Sequence, residues 1–450
     1  MLPERFFWFY FLQAPSIFEC KGILLFHSSV GLKILIFRNK LLLSRLTLAI
    51  EIIFTANKEP EMQNFDEIIE REGTHCYKYD LRKKIFGVDD VYPMWVADTD
   101  FRAPDFITDA LRKRLDHGIF GYTFLDDEYF SSIINWIRIQ HGFKIKKEWI
   151  KYSPGVVPSL FASVLAFTEP NDKVIVQTPV YFPFYTAVKE TGRQLVRNPL
   201  VLRDGRYEMD LNNLKSKIDA QTKMIILCSP HNPTGNVWRK QELLDLCAVC
   251  LENDIMIISD EIHADIIYQG NKHIPSASLS DEISKNTLTL MAPSKTFNIA
   301  GLNSSYVFSS NPDILDKFSR YVEGLHIGAN IFAIEATKAA YMHGKEWLSN
   351  LIGYYTDTIE MAREYIHSNL KNIDLIEPEG TFLLWVDFRK TNLSRDEMLK
   401  LLVDSAKLGL SDGFMFGKEG DGFQRMNIGC PRQKVLEALE RIKSIKSFRA

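Results

Sequence analysis

The chain has 450 residues, 46% hydrophobic and 25% charged, which is typical of a soluble globular protein. This length predicts roughly two or three core-forming units, or one large α/β domain with a smaller one. A formal net charge of −3 gives no reason to expect nucleic acid or an anionic membrane as a partner. Six scattered cysteines exclude a disulfide framework, and because the CxxC pair at 247 and 250 falls in a helical pattern, we expect no metal site.

The first 61 residues differ in character from the rest of the chain. The runs RFFWFYFLQAPSIF and GLKILIFRNKLLLSRLTLAIEIIF are apolar and basic. Neither offers the uninterrupted span of about 20 apolar residues that a membrane helix needs, and neither has the pattern of a signal peptide. We therefore predict that residues 1–61 are an upstream extension outside the main fold, produced by a start codon placed too early, with Met62 as the real start. A membrane-binding arm is the alternative.

Between residues 106 and 335, helical patterns alternate with short apolar runs. Runs such as KVIVQTP, KMIILCSP, DIMIISDE and NTLTLMAPS are apolar at successive positions, which is typical of strands buried between two layers of helices. This pattern predicts a large α/β domain over 106–335, with a mainly parallel sheet covered by helices. The long helical patterns and few strands that follow predict a smaller α+β domain over 336–450, and we expect residues 62–105 to pack with it.

Several of these predicted strands end in polar turns or in turns with Gly and Pro. The turns include TPVYFPF, SPHNPTG, SDEIHAD and APSKTFN. Open α/β sheets bind ligands outside the carboxyl ends of their strands. We therefore expect a functional site along this one edge of the sheet.

The stretch LTLMAPSKTFNIAG, residues 288–301, places Lys295 in a small, mostly apolar turn after a predicted buried strand. Most lysines are surface residues, which is the simpler interpretation. An amine in a partly desolvated place, however, loses its proton more readily and can attack a carbonyl carbon to form a Schiff base. The stretch alone leaves both interpretations open.

Four other segments near strand ends carry groups that a pyridine cofactor would need. Asp260 could keep a pyridine nitrogen protonated, and Asn232 could donate a hydrogen bond to a phenolic oxygen on the ring. The N–H groups of Val156 and Val157 at a helix start could bind phosphate, and Tyr181 could stack on the ring. Each has a simpler interpretation as a helix cap, a turn, a helix start or a core aromatic residue.

Together and in this order, the segments SPHNPTG, SDEIHADI and SKTFNIAGL resemble the class I/II aminotransferase superfamily of pyridoxal phosphate (PLP) enzymes, with the PLP-dependent transferase fold type I. The resemblance covers roughly residues 62–445. It implies that Lys295 is the catalytic Schiff-base lysine, that Asp260 pairs with the pyridinium, that Asn232 contacts the ring hydroxyl, and that Tyr181 stacks on the ring. The residues that it places near the phosphate are Val156, Val157 and Ser294.

Within this superfamily, the segments YPMWVADTDFRAP, GIFGYTFLDDEYF and EPEGTFLLWVDFR are similar to the bacterial cystathionine β-lyase (C–S lyase) branch. His263 stands where typical aminotransferases carry Tyr, and Asn303 stands where many carry a phosphate-binding Arg. Thr99 stands where the branch usually has Met, beside the expected substrate pocket, which leaves the preferred thioether open. The branch also implies a homodimer in which Tyr122 reaches the phosphate of the partner subunit.

A substrate α-carboxylate calls for an arginine, because the planar guanidinium binds carboxylate through two parallel hydrogen bonds. The segment FQRMNIGCPRQ offers Arg425 and Arg432. The family pattern Arg-x-Asn favours Arg425, with Arg432 as a salt-bridge residue or a residue at a helix start. For His263, which the resemblance places at the cofactor site, we prefer a hydrogen bond that orients Asp260 over a role as general acid.

The resemblance therefore implies a cytoplasmic PLP-dependent lyase of cysteine and methionine metabolism. It would cleave L-cystathionine or a related cysteine thioether to a thiol, pyruvate and ammonia, with Lys295 abstracting the α-proton. The alternatives are a class I/II aminotransferase acting on an amino acid and a regulatory PLP-binding protein. Residues 1–61 lack the length and pattern of a winged helix, which disfavours the regulator. We expect an amino-acid substrate and neither nucleic acid nor, for residues 62–450, membrane as a partner.

Overall fold

The computed structural model describes residues 63–449 and, in the preceding segment, the backbone of an antiparallel hairpin. The hairpin consists of β1 (Gly22–Ser28) and β2 (Gly31–Phe37). The chain divides into two compact units, Met1–Gln63 and Asn64–Ala450. The prediction that residues 1–61 lie outside the main fold concerns a segment that, apart from the hairpin backbone, is outside the described residues.

Helices occur along the whole of the larger unit. The α-helices are α1 (Tyr77–Asp80), α2 (Arg82–Phe86), α3 (Asp105–His117), α4 (Asp127–His141), α5 (Val156–Phe167), α6 (Pro183–Lys189), α7 (Leu211–Ser216), α8 (Lys240–Glu252), α9 (Asp281–Lys285), α10 (Pro312–Gly324), α11 (Ile331–His343), α12 (Lys345–Asn369), α13 (Arg395–Lys400) and α14 (Arg432–Ser444). A π-helical turn, Leu401–Ser405, directly continues α13. No helix within residues 63–449 is long and apolar enough to cross a membrane.

Strands separate these helices over most of the unit. They are β3 (Tyr92–Pro93), β4 (Ile150–Ser153), β5 (Lys173–Thr178), β6 (Gln194–Pro199), β7 (Val201–Arg203), β8 (Arg206–Glu208), β9 (Thr222–Cys228), β10 (Met256–Asp260), β11 (Thr287–Met291), β12 (Ser305–Phe308), β13 (Asp374–Ile376), β14 (Leu383–Asp387), β15 (Leu408–Gly409), β16 (Ser411–Asp412) and β17 (Phe423–Asn427).

A seven-stranded sheet in the order β4-β12-β11-β10-β9-β5-β6 forms the centre of the unit. The five strands from β11 to β6 are parallel to one another, whereas β12 is antiparallel to both of its neighbours. The predicted mainly parallel sheet is thus present. The antiparallel exception arises because the chain turns back after β11 and returns beside it as β12, so the turn that contains Lys295 stays at the carboxyl edge.

Helices cover both faces of this sheet, which explains why its strands are apolar at successive positions. Val174 and Val176 pack into one core with α5, α6 and α10, whereas Ile175 between them packs into a second core with α8. Cys247 and Cys250 are buried on α8 in the second core. The CxxC pair is therefore part of a helix face that packs on the sheet.

A second, antiparallel sheet in the order β13-β14-β17-β16 lies in the C-terminal part of the unit. Residues that precede the central sheet join this part, because β3 pairs with β15 through Tyr92 with Leu408 and Pro93 with Gly409. The loop that follows β3 is thereby held beside β16 and β17. It closes one side of the cavity at the carboxyl edge of the central sheet.

Candidate active site

A cavity of about 830 Å³ lies where the carboxyl ends of β5, β9, β10 and β11 meet the C-terminal sheet. The predicted site residues that line it are Val156, Val157, Tyr181, Asn232, Asp260, His263, Ser294, Lys295 and Arg425. These residues come from separate segments, and the strand order of the sheet brings them together. Tyr122 does not line this cavity; it is fully exposed on the connection between α3 and α4.

Lys295 lies in the turn after β11, and its Nζ donates a hydrogen bond to the carbonyl oxygen of Ala97 at 2.6 Å. Burial, with a smaller contribution from the positive charge of Arg425, lowers the pKa of Lys295 to about 8, against the opposing effects of Asp98 and Asp260. Near neutral pH a usable fraction of this amine is unprotonated, which is the form that attacks carbonyl carbons and accepts protons.

Asp260 ends β10 and is buried. Its Oδ1 accepts a hydrogen bond from the backbone N–H of Ile262 at 3.1 Å, and it forms no salt bridge within residues 63–449. Burial raises the pKa of this carboxyl group to about 7. A buried carboxylate without a cation is unfavourable, so Asp260 fits a ligand that brings a positive group, such as a protonated pyridine nitrogen.

Arg425 and Asn232 form a pair across the cavity wall. Arg425 Nη1 donates to Asn232 Oδ1 at 2.9 Å, which leaves the amide N–H₂ of Asn232 as a donor to a ligand. Arg425 Nη2 donates to the carbonyl oxygen of Trp95 at 2.8 Å and to Ser411 Oγ at 3.2 Å. The guanidinium pairs with no carboxylate, and its Nε has no partner in the described part of the chain. Burial lowers the pKa of Arg425 to about 10, and a substrate carboxylate would compensate this burial.

The second candidate arginine has a different environment. Arg432 is the first residue of α14, and its guanidinium lies over the ring of Tyr354, 4.6 Å from the ring centre. Its nearest carboxylate is that of Asp357, at 3.9 Å. Because Arg432 does not line the cavity, Arg425 is the better placed of the two for a substrate.

The predicted phosphate-binding groups lie together at the start of α5. The backbone N–H groups of Val156 and Val157 are in the first turn, where an α-helix offers no internal acceptor. The residue Ser294 lines the same cavity from the turn after β11. Free N–H groups at a helix N-terminus beside a hydroxyl fit a phosphate group.

Tyr181 lies just after β5, and its ring lines the cavity. Its backbone N–H donates to the carbonyl oxygen of Asn232 at 3.1 Å, which ties together the loops after β5 and β9. Burial raises the pKa of the Tyr181 hydroxyl group, so it stays neutral. This position suits a ring that packs against a planar ligand.

The structure does not contain the predicted hydrogen bond between His263 and Asp260. The ring of His263 packs edge-on against Phe382, with ring centres 5.9 Å apart, and its Nδ1 has no partner among residues 63–449. The backbone N–H of Ile262 takes the place at Asp260 Oδ1 instead. Burial lowers the pKa of His263 to about 3, so the imidazole is neutral at physiological pH.

Thr99 does not line the cavity, which differs from its expected place beside the substrate pocket. It is buried behind the cavity wall, where its carbonyl oxygen accepts hydrogen bonds from Arg71 and Asn298 at 3.0 and 2.9 Å. Val96 and Ala97 of the same segment face the cavity instead. The Thr at this position therefore changes the support of the segment and does not change the surface that a substrate meets.

Two groups of supporting residues were missed by reasoning from the sequence. Thr296, next to Lys295, donates to Asp265 Oδ2 at 2.8 Å, and Trp136 donates to the other carboxylate oxygen at 3.0 Å. The one available signal was a second aspartate, Asp265, in SDEIHADI. The carbonyl oxygens of Trp95 and Ala97 left no signal, because any residue supplies a carbonyl.

Comparison with known proteins supports this fold. The family model "Aminotransferase class I and II" matches residues 98–442. Cystathionine beta-lyase PatB of Bacillus subtilis (strain 168) is 44% identical over 388 residues, which cover 85% of this chain and 100% of PatB. The chain therefore belongs to the class I and II aminotransferase family, as the sequence motifs predicted.

Two solved structures are similar over most of the chain. Cystalysin from Treponema denticola, which contains PLP, has a TM-score of 0.83 and 33% identity, covering 85% of this chain and 99% of cystalysin. The PLP-bound C–S lyase from Staphylococcus hominis has a TM-score of 0.79 and 33% identity, covering 84% of this chain and 97% of that lyase. These likenesses confirm the predicted fold.

Proposed function

We propose that the protein is a PLP-dependent C–S lyase that cleaves L-cystathionine or a related L-cysteine thioether to a thiol, pyruvate and ammonia. One observation carries the proposal: a buried carboxylate, a buried guanidinium and a half-buried amine, none of them in a salt bridge among the described residues, line one cavity. They belong to Asp260, Arg425 and Lys295. The names of the similar proteins support the proposal. PatB is a cystathionine beta-lyase, the Staphylococcus hominis protein is a PLP-bound C–S lyase, and cystalysin contains PLP.

The residues of the cavity fit PLP group by group. The carboxylate of Asp260 would accept a hydrogen bond from the protonated ring nitrogen, and the amide of Asn232 would donate to the phenolic oxygen. Val156, Val157 and Ser294 would hold the phosphate through N–H and O–H groups, and Tyr181 would pack on the ring. When bound, PLP supplies an aldehyde that links to amines and a ring that withdraws electrons from the substrate α-carbon.

The chain itself supplies substrate binding and proton transfer. Arg425 binds the α-carboxylate through its guanidinium, which fixes the α-carbon beside Lys295. The unprotonated amine of Lys295 takes the α-proton, and the thiolate then leaves with the electron pair of the Cβ–S bond. Hydrolysis with one water completes the balance and gives thiol, pyruvate and ammonia. His263 stays neutral, so the proposal gives it no role as general acid.

The alternative is an aminotransferase that acts on an amino acid, which the name of the family model favours. Both reactions begin with removal of the α-proton by Lys295 and differ only in where the next bond changes. A barrier difference of about 1.4 kcal/mol is enough to shift the product ratio tenfold. The choice for the lyase therefore rests on the similar proteins.

The test is to incubate the purified protein with L-cystathionine in the presence and absence of a 2-oxo acid. We expect equal amounts of homocysteine, pyruvate and ammonia, formed without the 2-oxo acid. Turnover that requires the 2-oxo acid and releases no thiol would show that the protein is an aminotransferase.

The proposal includes a homodimer. Four large apolar side chains, Ile119, Phe120, Tyr122 and Phe124, are exposed on the connection between α3 and α4, and a cluster of this kind marks a contact surface. There Tyr122 would extend to the phosphate site of the partner subunit. Sedimentation velocity should give a dimer, and Tyr122→Phe should weaken PLP binding and leave the dimer intact. A monomer would contradict the proposal.

We also propose a cytoplasmic location. The cysteines of the described residues are all free and buried, namely Cys76, Cys228, Cys247, Cys250 and Cys430. Free thiols of this kind suit a reducing compartment.

A further inference from the structure

One face of a helical segment lines the cavity on the side of the C-terminal sheet. The segment runs from α13 into the π-helical turn, residues 395–405. Its cavity-lining residues follow helical spacing and are Arg395, Leu399, Lys400, Val403 and Asp404. Single π-helical turns often mark functional sites.

This face carries both signs of charge. Arg395 Nε lies 2.6 Å from Oδ2 of Asp412, another cavity residue, and the two side chains are 42% and 11% exposed. Lys400 and Asp404, one helical turn apart, are both exposed and form no hydrogen bond or salt bridge with other described residues. The face therefore offers one satisfied ion pair and, beside it, a cation and an anion without partners.

Another part of the cavity lining is apolar and aromatic. Tyr77 and Ile85 are 59% and 44% exposed, although both are large and hydrophobic. Trp95 lies between Tyr77 and Phe86, with ring centres at 5.4 and 5.7 Å. A flexible chain of methylene groups would pack well on these side chains.

The short strand β16 connects the charged face with the substrate-binding arginine. Ser411 contacts Arg425 at 3.2 Å, and the next residue, Asp412, pairs with Arg395. Arg425, Lys400 and Asp404 all line this cavity, with Arg425 buried and Lys400 and Asp404 exposed.

We propose that Lys400 and Asp404 determine specificity by binding the far end of a thioether that itself ends in an amino-acid group. Lys400 binds the distal carboxylate and Asp404 binds the distal ammonium, while the aromatic side packs on the methylene groups between. A purely anionic or purely cationic end group would meet one like charge here, which is unfavourable. This inference rests on the proposed lyase function and narrows its substrates to zwitterionic L-cysteine thioethers.

The experiment compares two substrates in three variants. L-cystathionine carries the distal zwitterion, whereas S-ethyl-L-cysteine has only an ethyl group at that end. We expect Lys400→Met and Asp404→Asn each to raise KM for L-cystathionine about tenfold, equivalent to about 1.4 kcal/mol, with kcat unchanged. The kcat/KM for S-ethyl-L-cysteine should change less than about twofold. Lys400→Arg, which keeps the charge, should retain the preference for cystathionine.

A matched control is Lys240→Met, which removes an exposed lysine at the start of α8, outside the cavity. It should leave both substrates unaffected. In a Lys295→Ala background supplied with PLP, calorimetry should show the same tenfold loss of cystathionine affinity on adding Lys400→Met. Equal effects on both substrates, or no effect on either, would overturn this inference, whereas wild-type protein that releases no thiol from either substrate would overturn the proposed function.

Discussion

Two clusters of buried charge in this protein show how differently the same kinds of side chain can be used. In the first, the carboxylate of Asp100 receives hydrogen bonds from Lys78, Lys434 and Arg71 at 3.0, 3.0 and 2.7 Å, and from the hydroxyl of Tyr79 at 2.6 Å. Although burial raises the pKa of Asp100, Lys78 and Lys434 together lower it well below its ordinary range. Every charge in this cluster has a partner within the chain.

The cavity forms the second cluster, and its charges lack such partners. Burial raises the pKa of Asp260 to about 7, in the direction opposite to Asp100, and lowers that of Lys295 to about 8. Lys78 is more deeply buried than Lys295, yet the carboxylates beside it raise its pKa against the effect of burial. The paired charges around Asp100 thus stabilise the fold. The unpaired charges of the cavity are available to bind a ligand, and leaving them unpaired costs some stability.

The largest effect should come from Lys295→Ala. Because the proposed function gives this amine both the link to the cofactor and the removal of the α-proton, kcat/KM for L-cystathionine should fall at least about 10³-fold. The yellow absorption band that borohydride removes from the wild-type protein should be absent. Lys240→Ala serves as the control with unchanged activity. An intact borohydride-sensitive band in Lys295→Ala would refute the assignment of this lysine.

A pair of isosteric changes tests the comparison directly. Asp100→Asn removes the nearer carboxylate of Lys78 and leaves this buried ammonium only Asp98, at 3.9 Å, so the free energy of unfolding should fall by about 3–5 kcal/mol. Asp260→Asn removes an unpaired buried charge, so in the cofactor-free protein it should cost less than about 1 kcal/mol while abolishing activity. Urea unfolding and the cystathionine assay measure both. Similar losses of stability in the two variants would show that the clusters do not differ as described.

Arg425→Ala should have the next largest effect. Losing the partner of the substrate α-carboxylate costs about 2–5 kcal/mol in transition-state binding, which should appear mainly as a higher KM. The cofactor absorption should not change. Arg432→Ala is the matched control, since Arg432 lies outside the cavity. If Arg432→Ala raises KM more strongly, the carboxylate binds elsewhere.

The two aspartates should also give opposite dependences of stability on pH. With a folded pKa of about 7 against an ordinary 3.8, Asp260 contributes stability that is fully present below about pH 4 and lost as the pH rises to 7. Asp100 has a lowered pKa, so its contribution to stability has the opposite pH dependence: it is present above about pH 4 and is lost as the pH falls below that value.

In the cofactor-free protein, the stability of Asp260→Asn relative to wild type should therefore increase between pH 5 and 7 by up to about 2 kcal/mol. Urea midpoints at the two pH values measure the change. If the stability of Asp260→Asn relative to wild type is the same at both pH values, the carboxyl group of Asp260 does not have a raised pKa.

The sequence was informative about the cavity because each strand-end motif carries its polar residue at a fixed place in a strongly apolar pattern. The apolar runs predicted buried parallel strands, and parallel strands bring their carboxyl ends to one edge. Asp260, Asn232 and Lys295 were found in this way. Arg425 was chosen by its Arg-x-Asn pattern, and β17 places it in the cavity beside Asn232.

The paired cluster could not be predicted from the sequence. Asp100 and Lys434 are 334 positions apart, and nothing in either segment indicates that they pack together. The orientation of His263 was missed for a similar reason, because it depends on Phe382 from the C-terminal sheet. The sequence pattern indicates which face of a helix or strand is buried. Which residues distant in the sequence contact that face is decided by tertiary packing.

The smallest effect should come from deleting residues 1–61, which should disturb neither cluster. Both clusters and every residue that lines the cavity lie within the compact unit Asn64–Ala450, and PatB matches this chain over its full length with 388 residues. A protein of residues 62–450 should therefore keep kcat/KM and PLP content within about twofold of the full chain. Its free energy of unfolding, measured with urea, should stay within about 0.5 kcal/mol. Loss of PLP or of solubility would show that the segment supports the catalytic unit.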